Sequence, residues 1–329
     1  MLLPRHIESK KKNKINYTLL FILLTILSLF GTIIWKWKDI LIFFSGNSKL
    51  KVQKVEDKIL DGIKKGNFSK NLVSDFQSVV NSYYDAFPTN PSANFYISKY
   101  YYYEFYTKIS KLGINEVIKL NSIGGKVSNL ESVTENPNFE VMYRVALRAR
   151  AFNASFSESD QNSLLILLYE TLDSKIKKET IVNELSLIDS EKLPADFQKL
   201  FYFIQLLVLP KSGEIEKFDT LVDSNNFKNN FKLDPREINF LRAVCILQKK
   251  ELVKSLELFR SVKKDLDTLT IEATRYEASI FSHQNLYDKA LILLETLFED
   301  TGSTNESIKN QIRVLLSTKP GLKTKINLE

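Results

Sequence analysis

The sequence predicts an all-α chain, with one apolar N-terminal helix ahead of a long body of helical hairpins. Three observations lead there. Ten glycines and eight prolines in 329 residues are about half the usual share, too few for a turn-rich β architecture. Apolar residues recur at helical spacing through most of the chain. No stretch alternates apolar and polar residues between turn signals, as a half-buried strand would. With 44% hydrophobic and 26% charged residues, the composition is that of a folded protein of one large domain or two ordinary ones.

The first element is the segment 15–35, which carries no charge and is bracketed by Lys14 and Lys36. Its 21 residues span about 30 Å as a helix, the thickness of the hydrocarbon layer of a bilayer. Tyr17, Trp35 and Trp37 stand at its two ends, where amphipathic rings favour the headgroup region. A cleaved leader has a shorter apolar run and a small-x-small site. Ser28, Gly31 and Ser45 have no small residue two positions earlier, and no cysteine follows the run. The expectation is an uncleaved transmembrane helix.

Charge sets its orientation. Arg5, Lys10, Lys11, Lys12 and Lys14 precede the span, and only Lys36 and Lys38 follow it directly. The positive-inside rule then places a basic tail, residues 1–14, in the cytoplasm and the body in the periplasm, anchored in a bacterial inner membrane. Beyond residue 44 the chain carries 39 basic and 37 acidic groups. The net charge of +7 is therefore a topology signal, and a nucleic-acid partner is not expected. The lipid bilayer, through 15–35, is.

Residues 36–48 read as a juxtamembrane linker. Ile40–Phe44 extends the membrane or interface contact, and Ser45-Gly46-Asn47-Ser48 is a short linker. Val52, Val55, Ile59 and Ile63 then recur at helical spacing as far as Gly66. Further helices are expected over 68–87, closed by Pro88-Thr89-Asn90-Pro91, over 92–111, ended by Gly113, and over roughly 138–155, 160–178, 194–208 and 214–223.

Residues 235–299 are the most informative. Pro235 after Asp234 suits a first helical turn. The helix carries Ile238, Leu241, Ala243, Ile246 and Leu247, breaks at Lys249-Lys250, and gives way to a second with Leu252, Leu256, Phe259 and Val262. The same layout returns 35 residues later, pairing Ala243 with Ala278, Ser255 with Ala290, Phe259 with Leu294 and Val262 with Leu297. The small residue of the first helix lies 12 before that of the second, and a bulky residue follows four later. Two helices cross closely only where both faces lack bulk, with large residues filling the flanks.

This pattern resembles the tetratricopeptide repeat, a helix–turn–helix unit of about 34 residues. It departs from that family in lacking the early Trp and the closing Pro, with Asp267 and Gly302 near the repeat ends. The resemblance implies a right-handed solenoid over 49–317, clearest in 235–299, and a C-terminal tail over 318–329. Ala243, Ser255, Phe259, Ala278, Ala290 and Leu294 would be its packing positions. A single hairpin cannot bury both faces, so several must stack.

Catalytic signatures are missing from the sequence. Gly124-Gly125-Lys126-Val127 has Leu120 where a phosphate loop needs Gly, and Val127 where it needs a hydroxyl; it reads as a turn. Cys245 sits within an apolar helical stripe and reads as a buried structural thiol. His283 ends a helix, where an imidazolium meets the dipole, and His6 belongs to the basic tail. No enzyme, metal or cofactor is expected. The run Phe95, Tyr96, Tyr100, Tyr101, Tyr102, Tyr103, Phe105, Tyr106 is unusual, because so many aromatics cannot share one helix face. Part of it serves the core. Tyr96, Tyr100 and Tyr103 form a second stripe, which either packs on the next hairpin or lines a concave surface as the candidate anchors for a protein partner, since aromatics dominate interface energetics.

The expected function is therefore a membrane-anchored periplasmic scaffold that binds other proteins of an envelope complex. The 37 Lys, 9 Arg and 25 Asn suit an A+T-rich bacterial genome. With the anchor and the repeats, this composition is similar to the membrane-anchored repeat proteins of the spirochaete periplasmic flagellar collar, which ring the motor and support its torque-generating units. That resemblance implies a structural component of the collar. Two alternatives stand beside it. One is an assembly factor or chaperone-like adaptor for an envelope complex. The other is a cell-wall enzyme, which would need a cleft with two inward carboxylates about 5–10 Å apart.

Overall fold

A computed structural model describes residues 17–172 and 177–328, and every regular element among them is helical. The basic tail 1–14, with His6, lies outside the described residues, as do residues 15 and 16 and most side chains of the apolar segment. Among the described residues no helix is long and apolar enough to cross a membrane.

Helix α1 runs unbroken from Tyr17 to Lys64, 48 residues and about 72 Å at the usual rise. It passes straight through Ser45-Gly46-Asn47-Ser48, so the segment 36–48 expected as a linker is continuous helix. One glycine costs a helix about 1 kcal/mol, and tertiary contacts outweigh that here. Ser45 Oγ accepts from Asn90 Nδ2 at 2.9 Å and lies 3.2 Å from the Tyr83 hydroxyl. Two and four turns on, Val52 and Ile59 are fully buried.

α2 (Lys70–Ala86) folds back on α1, and α3 (Pro91–Ile109) on α2. Two short helices follow, α4 (Ile114–Asn121) and α5 (Ser128–Thr134), then α6 (Pro137–Phe152) and α7 (Ser159–Leu172). Beyond the gap come α8 (Lys178–Leu185), a 3-10 turn (Ser190–Lys192), α9 (Ala195–Ser212), α10 (Ile215–Asp223) and α11 (Asn225–Asn230). The last five are α12 (Pro235–Gln248), α13 (Leu252–Ser261), α14 (Thr268–His283), α15 (Tyr287–Asp300) and α16 (Glu306–Thr318).

One local device starts three of these helices. Asn90, Asn136 and Asp234 each accept a backbone N–H from the first turn, and a proline occupies the next position. The side chain satisfies an orphan donor while the ring presets φ. At α12 the device is completed by Glu237, whose carboxylate accepts from the Asp234 N–H at 2.8 Å.

Packing largely follows chain order. α3 lies on α6, α6 on α7, α7 and α8 on α9, and α9 on α12; from α12 to α16 each helix packs on the next. The exception is α4, which inserts against α9, α12 and α14. The Tyr276 hydroxyl donates to the Asn121 carbonyl, Asn121 Nδ2 to Leu206 O at 3.0 Å, and Arg275 Nη2 to Ile123 O at 2.7 Å. The turn after α4 is very tight. A Cβ on Gly125 would fall 1.6 Å from the Lys119 carbonyl oxygen, and Gly124 has φ +60°. Gly125 serves a close backbone approach and Gly124 the positive φ.

One core runs from Val52 to Ile280. A second, separate cluster joins α14, α15 and α16 through Ala278, Ala290, Leu294, Phe298 and Ile312.

Candidate functional site

The hairpin positions singled out in the sequence sit where the helices meet. Ala243, Ser255, Phe259 and Ala290 are fully buried, and Ala278 and Leu294 nearly so. Ser255 Oγ donates to the Ala243 carbonyl at 2.9 Å, so the two small residues touch across the α12–α13 crossing. Phe259 stacks on Tyr276 at 4.7 Å and meets Phe240 edge-on at 5.6 Å. Cys245 is buried beside Leu209 O at 3.8 Å, and burial pushes its thiol up to about 12; it is inert packing. His283 lies in the last turn of α14.

The aromatic helix α3 is another matter. Tyr96 is 2% exposed, Tyr100 7% and Tyr103 0%, so none of the three rings projects as a partner anchor would. Tyr96 packs among Phe76, Tyr83 and Phe95 at 5.2–6.4 Å between ring centres. This corrects the reading of an exposed second stripe. α3 has neighbours on nearly every side, so both aromatic stripes serve packing. Tyr100 and Tyr103 do come together in the wall of one surface cavity of about 490 Å³, with Phe68, Lys70, Glu104 and Asn138. The Tyr100 hydroxyl donates to Glu104 at 2.8 Å, and Glu104 accepts from Asn138 Nδ2 at 3.2 Å. Burial raises the Tyr96, Tyr100 and Tyr103 phenols above their ordinary value, so all three remain neutral donors at physiological pH.

Sequence reasoning missed the charged centre beneath this helix. Lys99 is the lone charge in the stretch 91–103, and that isolation was the available signal. Its ammonium is 2% exposed. It pairs with Glu56 of α1, donates to Gln161 Oε1 at 2.8 Å, and lies over the rings of Phe197 at 4.8 Å and Phe95 at 5.3 Å. Glu56 also accepts from the Tyr103 hydroxyl at 3.1 Å. Asp196, in the first turn of α9, has both carboxylate oxygens buried without a hydrogen-bond partner. Burial raises its pKa, the Lys99 charge opposes the rise, and Glu56 adds to it.

A second clamp lies one face away. Glu158 accepts from Lys49 Nζ at 2.5 Å, Ser157 Oγ at 2.7 Å and Ser92 Oγ at 2.9 Å. Glu56, Lys99, Lys49 and Glu158 all border a cavity of about 300 Å³, yet each is committed to protein partners. The arrangement ties α1 to α3 and to the start of α7. Among the described residues no group of three or more His, Cys, Asp or Glu is placed to hold a metal ion.

The Glu158 clamp has a pH consequence. Burial alone would raise its pKa, but the bonds from Lys49, Ser157 and Ser92 and the Lys49 charge outweigh burial and hold it below the ordinary value. A carboxylate depressed in this way stabilises the fold above its unfolded pKa of about 4.3. That contribution disappears as pH falls through the lower folded value. Hydrogen exchange of the amides in 49–64 is expected to accelerate below about pH 4. Glu158→Gln should remove that acid-dependent step; an unchanged profile in the variant would assign the step to another group.

Comparison of the chain with protein-family models, with curated proteins and with solved structures gives no match.

Proposed function

We propose that this chain is a membrane-anchored scaffold that holds other proteins of an envelope complex, and that it catalyses no reaction. The continuity of α1 carries the reading. The helix that contains residues 17–35 of the apolar segment continues to Lys64 and is bonded to the body through Lys49 and Glu56. A body tied in this way keeps a fixed position relative to whatever holds the segment. In this reading 15–35 spans a bacterial inner membrane, the basic tail stays in the cytoplasm, and the body lies in the periplasm. The sequence-neighbour packing of α12 to α16 and the Ser255–Ala243 contact support stacked hairpins of the tetratricopeptide kind. The narrower form of the proposal, a structural part of a spirochaete flagellar collar, rests on the resemblance given above.

Fractionation of the source cell tests the anchor. The full chain should remain in the membrane pellet after a carbonate wash, and removal of residues 1–36 should release the body. A C-terminal tag should become protease-sensitive once the outer membrane is opened. Stable co-purification of the full chain with motor subunits would support the collar form. A body that remains soluble with 1–36 intact would defeat the anchor, and capture of transient unfolded clients alone would replace the scaffold with an adaptor.

A further inference from the structure

At the end of the chain farthest from α1 in sequence, the tail after α16 lies in a groove formed with α15. Its sequence 319–328 opens with a Pro320-Gly321 turn in which Gly321 has φ +105°, a conformation open to glycine. Beyond the turn the segment forms no regular element and bends at Ile326. Leu322, Thr324, Ile326 and Leu328 are half-buried, while Lys323, Lys325 and Asn327 are exposed, so alternate side chains face the helices. Leu322, Ile326 and Leu328 pack on the separate α14–α16 cluster.

The polar contacts read the segment in a defined direction. The Lys319 ammonium lies 5.9 Å from the centre of the Tyr287 ring. Glu295, itself 6% exposed, accepts from the Thr324 hydroxyl at 2.6 Å and from the Lys325 backbone N–H at 3.0 Å. Lys325 Nζ pairs with Glu299 at 3.0 Å, and Arg313 Nη2 donates to the Leu328 carbonyl at 2.7 Å.

These are the contacts of a peptide in a receptor. A buried carboxylate takes a main-chain N–H and a guanidinium takes a main-chain carbonyl, while aliphatic side chains at alternate positions fill the floor. None of the tail's side chains is fully buried, so the tail is held in large part by its tether, which supplies a high effective concentration. The Pro320-Gly321 turn joins the segment 322–328 to α16, a short hinge of the kind across which identical segments exchange between copies.

We propose that the α15–α16 groove is a peptide-binding site whose ligand is the C-terminal segment of a second copy of this chain, the tail seen here being the closed form. Reciprocal exchange links two copies; exchange in sequence links a ring or a filament. This goes beyond the scaffold reading and holds whether or not the chain is anchored in a membrane.

The test uses the full chain with a specific protease site inserted after Thr318. After cutting, the helical circular dichroism should persist, and a fluorescent peptide of sequence 319–328 should bind saturably and be displaced by its unlabelled form. The uncut chain should bind it at least about tenfold more weakly, because its own tail competes. Glu295→Gln with Glu299→Gln should weaken binding to the cut chain by a similar factor. Uncut chain should self-associate with rising concentration, and Leu322→Asp with Ile326→Asp should abolish the association. Loss of helix on cutting would make the tail a fixed part of the fold and overturn the proposal. So would the absence of saturable binding to a cut chain that stays folded, or binding indifferent to Glu295 and Glu299. A chain that binds the peptide yet remains monomeric at every concentration would overturn the second-copy assignment.

Discussion

Replacing Lys99 with methionine is expected to destabilise the protein by about 3–5 kcal/mol. Methionine keeps the length and apolar stem of lysine and removes the charge. It leaves Glu56, 7% exposed, without its cation, and it removes the charge that opposes the rise in the Asp196 pKa. The cost is that of an orphaned buried carboxylate, far above the tenths of a kcal/mol set by an exposed pair. Pairing Lys99→Met with Glu56→Leu should recover most of the loss, because removing both partners of a buried ion pair is often close to neutral. A double-mutant cycle on chemical denaturation of the full chain measures the difference. A loss below about 1 kcal/mol in the single variant would mean that water reaches Glu56 and that the pair does not clamp α1.

The second large effect is at the α12–α13 crossing. Phe259→Ala is expected to lower stability by about 3–5 kcal/mol. The ring is fully buried, stacked on Tyr276 at 4.7 Å and edge-on to Phe240 at 5.6 Å, so the cavity would open at the junction of α12, α13 and α14. Tyr276 in turn bonds the Asn121 carbonyl, and loosening it would free α4 as well. Hydrogen exchange should then report faster opening of both α13 and α4. Phe259→Leu, which keeps most of the volume, should cost about a third as much. At the matching position of the next hairpin, Leu294→Ala should loosen α15 and α16 while leaving α4 protected, because Leu294 belongs to the separate cluster. Equal loosening of α4 in both variants would show that the two clusters unfold as one.

The α12–α13 crossing was legible because its information is local. Ala243, Ser255 and Phe259 are spaced by helical turns within one hairpin, and the Asp234-Pro235 start needs no distant residue to act. The same holds for the all-α class and for the turn at Gly124-Gly125. Which of the two readings of the aromatic helix holds was not legible, for the opposite reason. Periodicity shows that α3 has two apolar stripes, but only its neighbours decide whether both are covered. α2 and α6 pack on α3, and the rings went inward.

The sequence by itself determined the helical class, the uncharged segment 15–35, the hairpin unit and its close-packing residues, since each depends on the spacing of side chains a few positions apart. Only the tertiary structure decided that α1 continues through Ser45–Ser48, that Lys99 finds Glu56 43 positions away along the chain, that α4 fills the side of α12 and α14, and that the tail returns to Glu295. Those outcomes depend on which distant groups can satisfy a buried charge or an orphan carbonyl. That requirement is set by burial, and burial exists only once the chain has folded.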